Sequence, residues 1–270
     1  MKKRVFGLCV AVCLLTMTAC GKKSSPSSTD LDQAGVTAEV TQAGEITAEP
    51  TAEPTAEATP EESTAEAGTE DLDAADKEGV ITGTTYSNEY YNFEITLPST
   101  WTVFDHETTL STMYASMGAI YDDVEDMKAA YEQAGIDYLF YGMDSVLTGE
   151  GANNALCQIV PSSMLAGASL TDLMVQTAAS SKQQYEQLGG VVESGEPSTV
   201  MVDGREGITM ELSTVMNGTV SGVEFTDMYI SQKYIMVEEN DTILIFLTTV
   251  YDEASKPYAD EILDSIHFLN

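Results

Sequence analysis

The sequence predicts an α+β fold for residues 84–270, with helices on both faces of a largely antiparallel sheet. Three observations predict it. Strand-like runs recur along this stretch, and the two longest, 225–237 and 242–251, are joined through Glu239-Asn240-Asp241, as in a hairpin. Segments of helical period lie among the strands without a regular strand–helix–strand rhythm. Ile243-Leu244-Ile245-Phe246-Leu247 is apolar at consecutive positions. Neighbouring side chains of a strand point to opposite faces, so both faces of this one need cover.

The elements follow in order. Residues 90–97 alternate at period two and stop at Pro98, and Trp101-Thr102-Val103-Phe104 forms the next strand. Leu110, Met113, Tyr114 and Met117 keep a helical period that Gly118 interrupts. A second helix starts at Asp122 as N-cap, with Glu125 in capping-box spacing, and ends at Gly135; Val124, Met127, Tyr131 and Ala134 make its apolar face. Residues 138–146 and 155–160 are strands. Ser169 caps a helix with the stripe Leu170, Leu173, Met174, Ala178, Tyr185 and Leu188, and Gly189-Gly190 ends it. Strand resumes at Val191. Asp203-Gly204 is a hairpin turn leading into Ile208-Thr209-Met210-Glu211-Leu212. After the long hairpin, a helix over 258–265 carries Ile262, Leu263 and Ile266 into His267-Phe268-Leu269.

The two ends of this stretch carry a resemblance. Tyr91-Asn92-Phe93-Glu94-Ile95-Thr96-Leu97-Pro98-Ser99-Thr100-Trp101 resembles the opening strand and Leu-Pro-x-x-Trp of PsbP/Mog1-like domains. The apolar hairpin followed by Ile262-Leu263-Asp264-Ser265-Ile266-His267-Phe268 is similar to their ending. The resemblance implies an α/β/α sandwich with a central, largely antiparallel sheet. It implies no common enzymatic activity, and no functional residue carries over.

The first 83 residues are of another kind. Lys2, Lys3 and Arg4 precede an apolar run over 5–15, shorter than the roughly 20 residues a membrane-spanning helix needs. Leu14-Leu15-Thr16-Met17-Thr18-Ala19-Cys20 then resembles the lipobox of a bacterial lipoprotein, with Met17 where Leu is commoner. That resemblance implies a signal peptide over 1–19 and a diacylglycerol thioether on Cys20, the lipid attachment residue. Residues 20–83 hold imperfect Thr-Ala-Glu-Pro repeats and no aromatic residue, a composition too poor in apolar surface to offset ordering entropy. They are expected to form a disordered tether. The implied location is extracytoplasmic, lipid-anchored to the cell membrane, with a stalk of Gram-positive character. Of four cysteines only Cys157 remains beside Cys20 in the mature chain, so no internal disulfide is expected; Cys157 sits in an apolar strand as a buried, inert thiol.

Charge and motifs narrow the function. Residues 84–270 carry 29 Asp and Glu against 5 Lys and Arg. Such a domain is repelled by phosphate backbones, so nucleic acid is not a partner. There are two histidines, His106 and His267, and no Gly-x-Ser-x-Gly or His-Glu-x-x-His motif. No Gly-rich phosphate loop opens a helix, and no cofactor is implied. Asp122, Asp123, Glu125 and Asp126 are the candidate metal ligands, since Ca²⁺ takes several carboxylate oxygens. Their spacing fits no EF-hand, and acids at a helix start also complement its dipole. Tyr114, Tyr121, Tyr131, Tyr138 and Tyr141 are the candidate ligand or partner residues, their rings being apolar with a polar tip; packing is the competing account. Arg205 is the one arginine beyond the leader, placed after the hairpin turn as a solvated residue or an anchor for a carboxylate. The expected function is a non-catalytic binding or assembly module at the cell surface, its partners the membrane through Cys20 and an unidentified surface protein or glycan. The alternative is a Ca²⁺-dependent module or a hydrolase built on carboxylates.

Overall fold

The structure is a computed structural model, and it describes residues 77–118, 123–148, 151–220 and 223–269. These belong to one compact unit. Cys20, the leader and nearly all of the tether lie outside the described residues, as do Tyr121 and Asp122.

Four strands form a small sheet: β1 (Val80–Thr82), β2 (Thr85–Asn88), β3 (Phe93–Thr96) and β12 (His267–Phe268), in the order β1-β2-β3-β12. The large sheet is antiparallel throughout. It is built from β4 (Trp101–Phe104), β5 (Asp137–Thr148), β6 (Gly151–Pro161), β11 (Thr242–Val250), β10 (Val223–Glu239), β9 (Arg205–Val220) and β7 (Gly190–Ser194), paired in that order, while β8 (Ser198–Val202) pairs with β9 next to β7. The helices are α1 (His106–Gly118), α2 (Val124–Ala134), α3 (Leu170–Gln187) and α4 (Lys256–Asp264). The long hairpin closes where Asn240 (φ 50°) and Asp241 (φ 59°) are both left-handed, and Asp203 (φ 45°) with Gly204 (φ 82°) makes the same kind of turn between β8 and β9.

β11 bears out the need for two covers. Ile243, Ile245 and Leu247 enter one core with Met113 and Met117 of α1, Tyr131 of α2, and Met174, Ala178 and Tyr185 of α3. Leu244 and Phe246 enter the other with Ile262 and Leu263 of α4 and Phe93, Ile95 and Phe268 of the small sheet. Helices therefore do lie on both faces, but α4 shares its face with a second sheet that local pattern does not announce. The small sheet also begins before the boundary expected at 84, because β1 pairs with β2 across the Gly83 turn.

Two local expectations are corrected. The run 90–97 is not one strand, since Asn92 is left-handed (φ 62°) and the Tyr91 N–H donates to Asn88 Oδ1 at 2.9 Å, reversing the chain between β2 and β3. Asp123, not Asp122, is the N-cap of α2, and it makes no capping hydrogen bond, because its backbone (φ −115°, ψ 40°) is not the extended one that aims an N-cap side chain at the first turn. By contrast, Ser169 and Asp172 close a full capping box on α3.

Arg205 is no solvated hairpin residue. Its Nε and Nη2 donate to the two carboxylate oxygens of Glu239, at 2.6 and 3.1 Å, and its guanidinium lies 4.2 Å over the Phe268 ring. Asn92 donates to the same Glu239 at 2.9 Å, and Asp203 accepts from the Phe268 N–H at 2.8 Å. The cluster joins β3 and β12 to the β8–β9 and β10–β11 turns. The ion pair is mostly covered, with side chains 29 % and 14 % exposed, so its worth lies between an exposed pair and a fully buried one. Arg205→Ala is expected to cost about 2 kcal/mol near neutral pH. The guanidinium holds the Glu239 carboxyl below the usual carboxylate range. This contribution is therefore present above that range and lost as pH falls through the lowered value. Urea titrations at about pH 7 and about pH 3 should show the variant's deficit shrinking in acid.

Candidate functional site

The predicted site residues separate in space. Tyr131, Tyr138 and Tyr141 are buried between the large sheet and its helices, at 0–1 % exposure, and offer no ring to a partner or glycan at the surface. Tyr141 stacks on Phe104 at 5.7 Å, and Tyr138 meets Tyr131 at 6.4 Å. Tyr114 is half-buried on α1 with the Lys128 ammonium 5.5 Å from its ring, and burial pushes its hydroxyl pKa up to about 12. Tyr121 lies outside the described residues. Asp123, Glu125 and Asp126 are exposed at the start of α2, and Asp122 lies outside the described residues. Among the described residues no three His, Cys, Asp or Glu side chains converge as a metal cluster. Cys157 is buried, and burial pushes its thiol well above its ordinary pKa.

The buried layer also holds a polar set that local pattern gives no reason to single out. The Tyr234 hydroxyl donates to Gln232 Oε1 at 2.8 Å, and Gln232 Nε2 donates to Thr249 Oγ1 at 3.4 Å. Gln158, opposite Tyr138 in register and fully buried, has neither amide atom paired among the described residues. Its only sequence signal is an amide inside Leu156-Cys157-Gln158-Ile159-Val160. An unpaired buried amide costs about 1–3 kcal/mol.

His106 also finds a partner far away in sequence. Its Nε2 lies 3.1 and 3.0 Å from the two oxygens of Asp137 at the start of β5, and its Nδ1 lies 3.9 Å from Glu78. Both ring nitrogens face carboxylates, and the Asp137 hydrogen bond raises the His106 pKa against the lowering effect of burial. The stability this contributes is fully present below the ordinary histidine value and is lost as pH rises through the raised one. His106→Gln should therefore lower the unfolding free energy, measured by urea titration, more at about pH 5.5 than at about pH 9, by less than about 1 kcal/mol.

Among the described residues, a surface groove lies elsewhere. α3 runs alongside the break between β7 and β8, and between them opens a groove of about 230 Å³. Val175, Ala178 and Ala179 of α3 form one wall, Ser194, Gly195, Glu196 and Pro197 the other, with Met210 as the floor and Lys182 at the rim. The signals for it were the Gly195-Glu196-Pro197 interruption and Val175, which sits off the helix stripe and is 51 % exposed. The walls are mostly aliphatic, with two charged side chains among them, which suits contact rather than bond-making.

No family model matches the chain, and no curated protein matches it. Among solved structures it is similar to PsbP of the cyanobacterium Synechocystis (CyanoP), with 14 % identity and TM-score 0.43 over 70 % of this chain and 95 % of that one. It is similar to LpqN of Mycobacterium tuberculosis, described as involved in cell envelope biogenesis, with 9 % identity and TM-score 0.36 over 66 % of this chain and 83 % of that one. A Pseudomonas aeruginosa protein of unknown function shares 11 % identity and TM-score 0.32 over 48 % of this chain and 80 % of that one. The mixed fold with antiparallel sheets is the kind the sequence resemblance implied. Likeness at this depth carries no role over to this chain.

Proposed function

We propose that this protein is an extracytoplasmic lipoprotein, anchored through Cys20, that acts by non-covalent binding or assembly at the cell surface. The observation that carries the reading is the coincidence, in register, of Lys2-Lys3-Arg4, the apolar run and Ala19-Cys20. The acidic, aromatic-free residues 20–83 support it as a spacer between anchor and domain. The groove beside α3 supports it as a receptor, having mostly aliphatic walls and room for about one side chain. No helix among the described residues is long and apolar enough to cross a membrane.

Mass spectrometry of protein isolated from membranes is expected to find Cys20 as the modified N-terminal residue; an unmodified residue 20 overturns the anchor. Lysine-reactive cross-linking on intact cells is expected to give a discrete adduct that excess soluble chain, starting at residue 20 with Cys20→Ser, displaces. Cross-linking without a displaceable adduct overturns the binding role.

A further inference from the structure

We propose that the open edge of the large sheet at β7 and β8 takes up an extended, basic segment of a partner protein as an added strand, seating one apolar side chain in the groove beside α3. The proposal deepens the binding role above and rests on it.

The topology supplies the edge. β7 pairs with residues 212–216 of β9 and β8 with residues 205–209, both on the same side of that strand, so no strand of the large sheet follows them. An edge of this kind presents unpaired N–H and C=O groups, the template that strand addition uses. The ladder breaks once. Ser194 faces Leu212 and Ser198 faces Thr209, which leaves three residues, Gly195, Glu196 and Pro197, opposite two, Met210 and Glu211. The extra residue pushes the chain away from its neighbour. Met210, buried in the core, lines the groove beneath the gap, while the Gly195 N–H keeps its bond to the Glu211 carbonyl at 2.8 Å.

Size decides what enters. At about 230 Å³ the groove falls short of the roughly 300 Å³ at which small-molecule sites begin. It holds one aliphatic side chain, not a whole ligand. The opposite face of the same edge agrees. Val191 is 72 % exposed and lies opposite Val215, itself 39 % exposed, with Tyr229 next in register. An added strand points alternate side chains to the two faces, so one set would fill the groove while the other covered this row.

Charge chooses the occupant. Glu193 and Glu196 are exposed and make no ion pair among the described residues, whereas Lys182 is matched by Glu186 at 3.9 Å. The domain around them is strongly acidic. Basic residues flanking the apolar one would meet these acids, and a second copy of this chain would instead set Glu193 and Glu196 against their own kind.

The test uses the soluble full-length mature chain with Cys20→Ser and the fluorescent peptide Lys-Lys-Val-Leu-Val-Lys-Lys, read by anisotropy. Binding is expected, weakened about tenfold or more when the central leucine is glycine, when that leucine's amide is N-methylated, or when the lysines are glutamates. Ala179→Trp, which fills the groove from an exposed position, and Glu193→Lys with Glu196→Lys should each weaken it comparably. No binding, or equal affinity for the glycine, N-methyl or glutamate peptide, overturns the proposal. So does equal affinity of an Ala179→Trp chain that melts like its parent; if that variant melts without cooperativity, the peptide series decides alone. Self-association by sedimentation that Ala179→Trp abolishes would make a second copy the occupant and also overturn it. A failed peptide series with an intact displaceable adduct on cells removes this edge and leaves the binding role standing.

Discussion

Phe246→Ala is expected to cost about 4 kcal/mol, a large part of the roughly 5–15 kcal/mol that holds a domain folded. Phe246 is fully buried at the centre of β11, between Cys157 of β6 and Ile235 of β10 in register. Its ring meets Phe93 of β3 edge to face, at 5.1 Å and 84°. That contact fastens the small sheet to the large one, so truncation leaves a cavity where two layers meet and neither can collapse without moving a whole sheet. Phe246→Leu fills most of the space and should cost about 1–1.5 kcal/mol. Urea unfolding checks both, and hydrogen exchange should show amides of β2 and β3 losing protection first in the alanine variant. A deficit under about 1 kcal/mol would show that the sheets are held together by other contacts.

Cys20→Ser should move nearly all of the chain from the membrane to the aqueous phase. Two acyl chains anchor firmly and a single one only marginally, so under the proposed anchoring the loss of the thiol that would carry diacylglycerol leaves an apolar run too short to span. Detergent phase partitioning of cells expressing each form reads the result directly. Retention of the variant in the detergent phase at the parent's level would mean that something other than Cys20 holds the protein there.

How much of this was legible follows from the range of each signal. The hairpins at Asp203-Gly204 and Asn240-Asp241, the Ser169 cap with its stripe along α3, and the stop at Gly135 are each carried by residues within a few positions of one another. Such features are set by backbone conformation and by periodicity, which the chain states locally. The five singled-out tyrosines show where local reading ends. Ring chemistry is the same in a binding surface and in a core, and only the packing of α1 and α2 onto β5 and β6 decided that Tyr131, Tyr138 and Tyr141 face inward.

Residue types and short-range order alone determined the lipobox resemblance, the spacer composition, the acidity, the succession of strands and helices, and the demand for two covers over β11. The tertiary structure alone decided that a second sheet supplies part of one cover, that Arg205 clamps a carboxylate 34 residues away, that His106 reaches Asp137, and that a bulge opposite Met210 opens a groove at an unpaired edge. The reason is physical: these depend on strand register and on which face a side chain takes, and a shift of one residue in pairing reverses every such assignment without altering any local pattern.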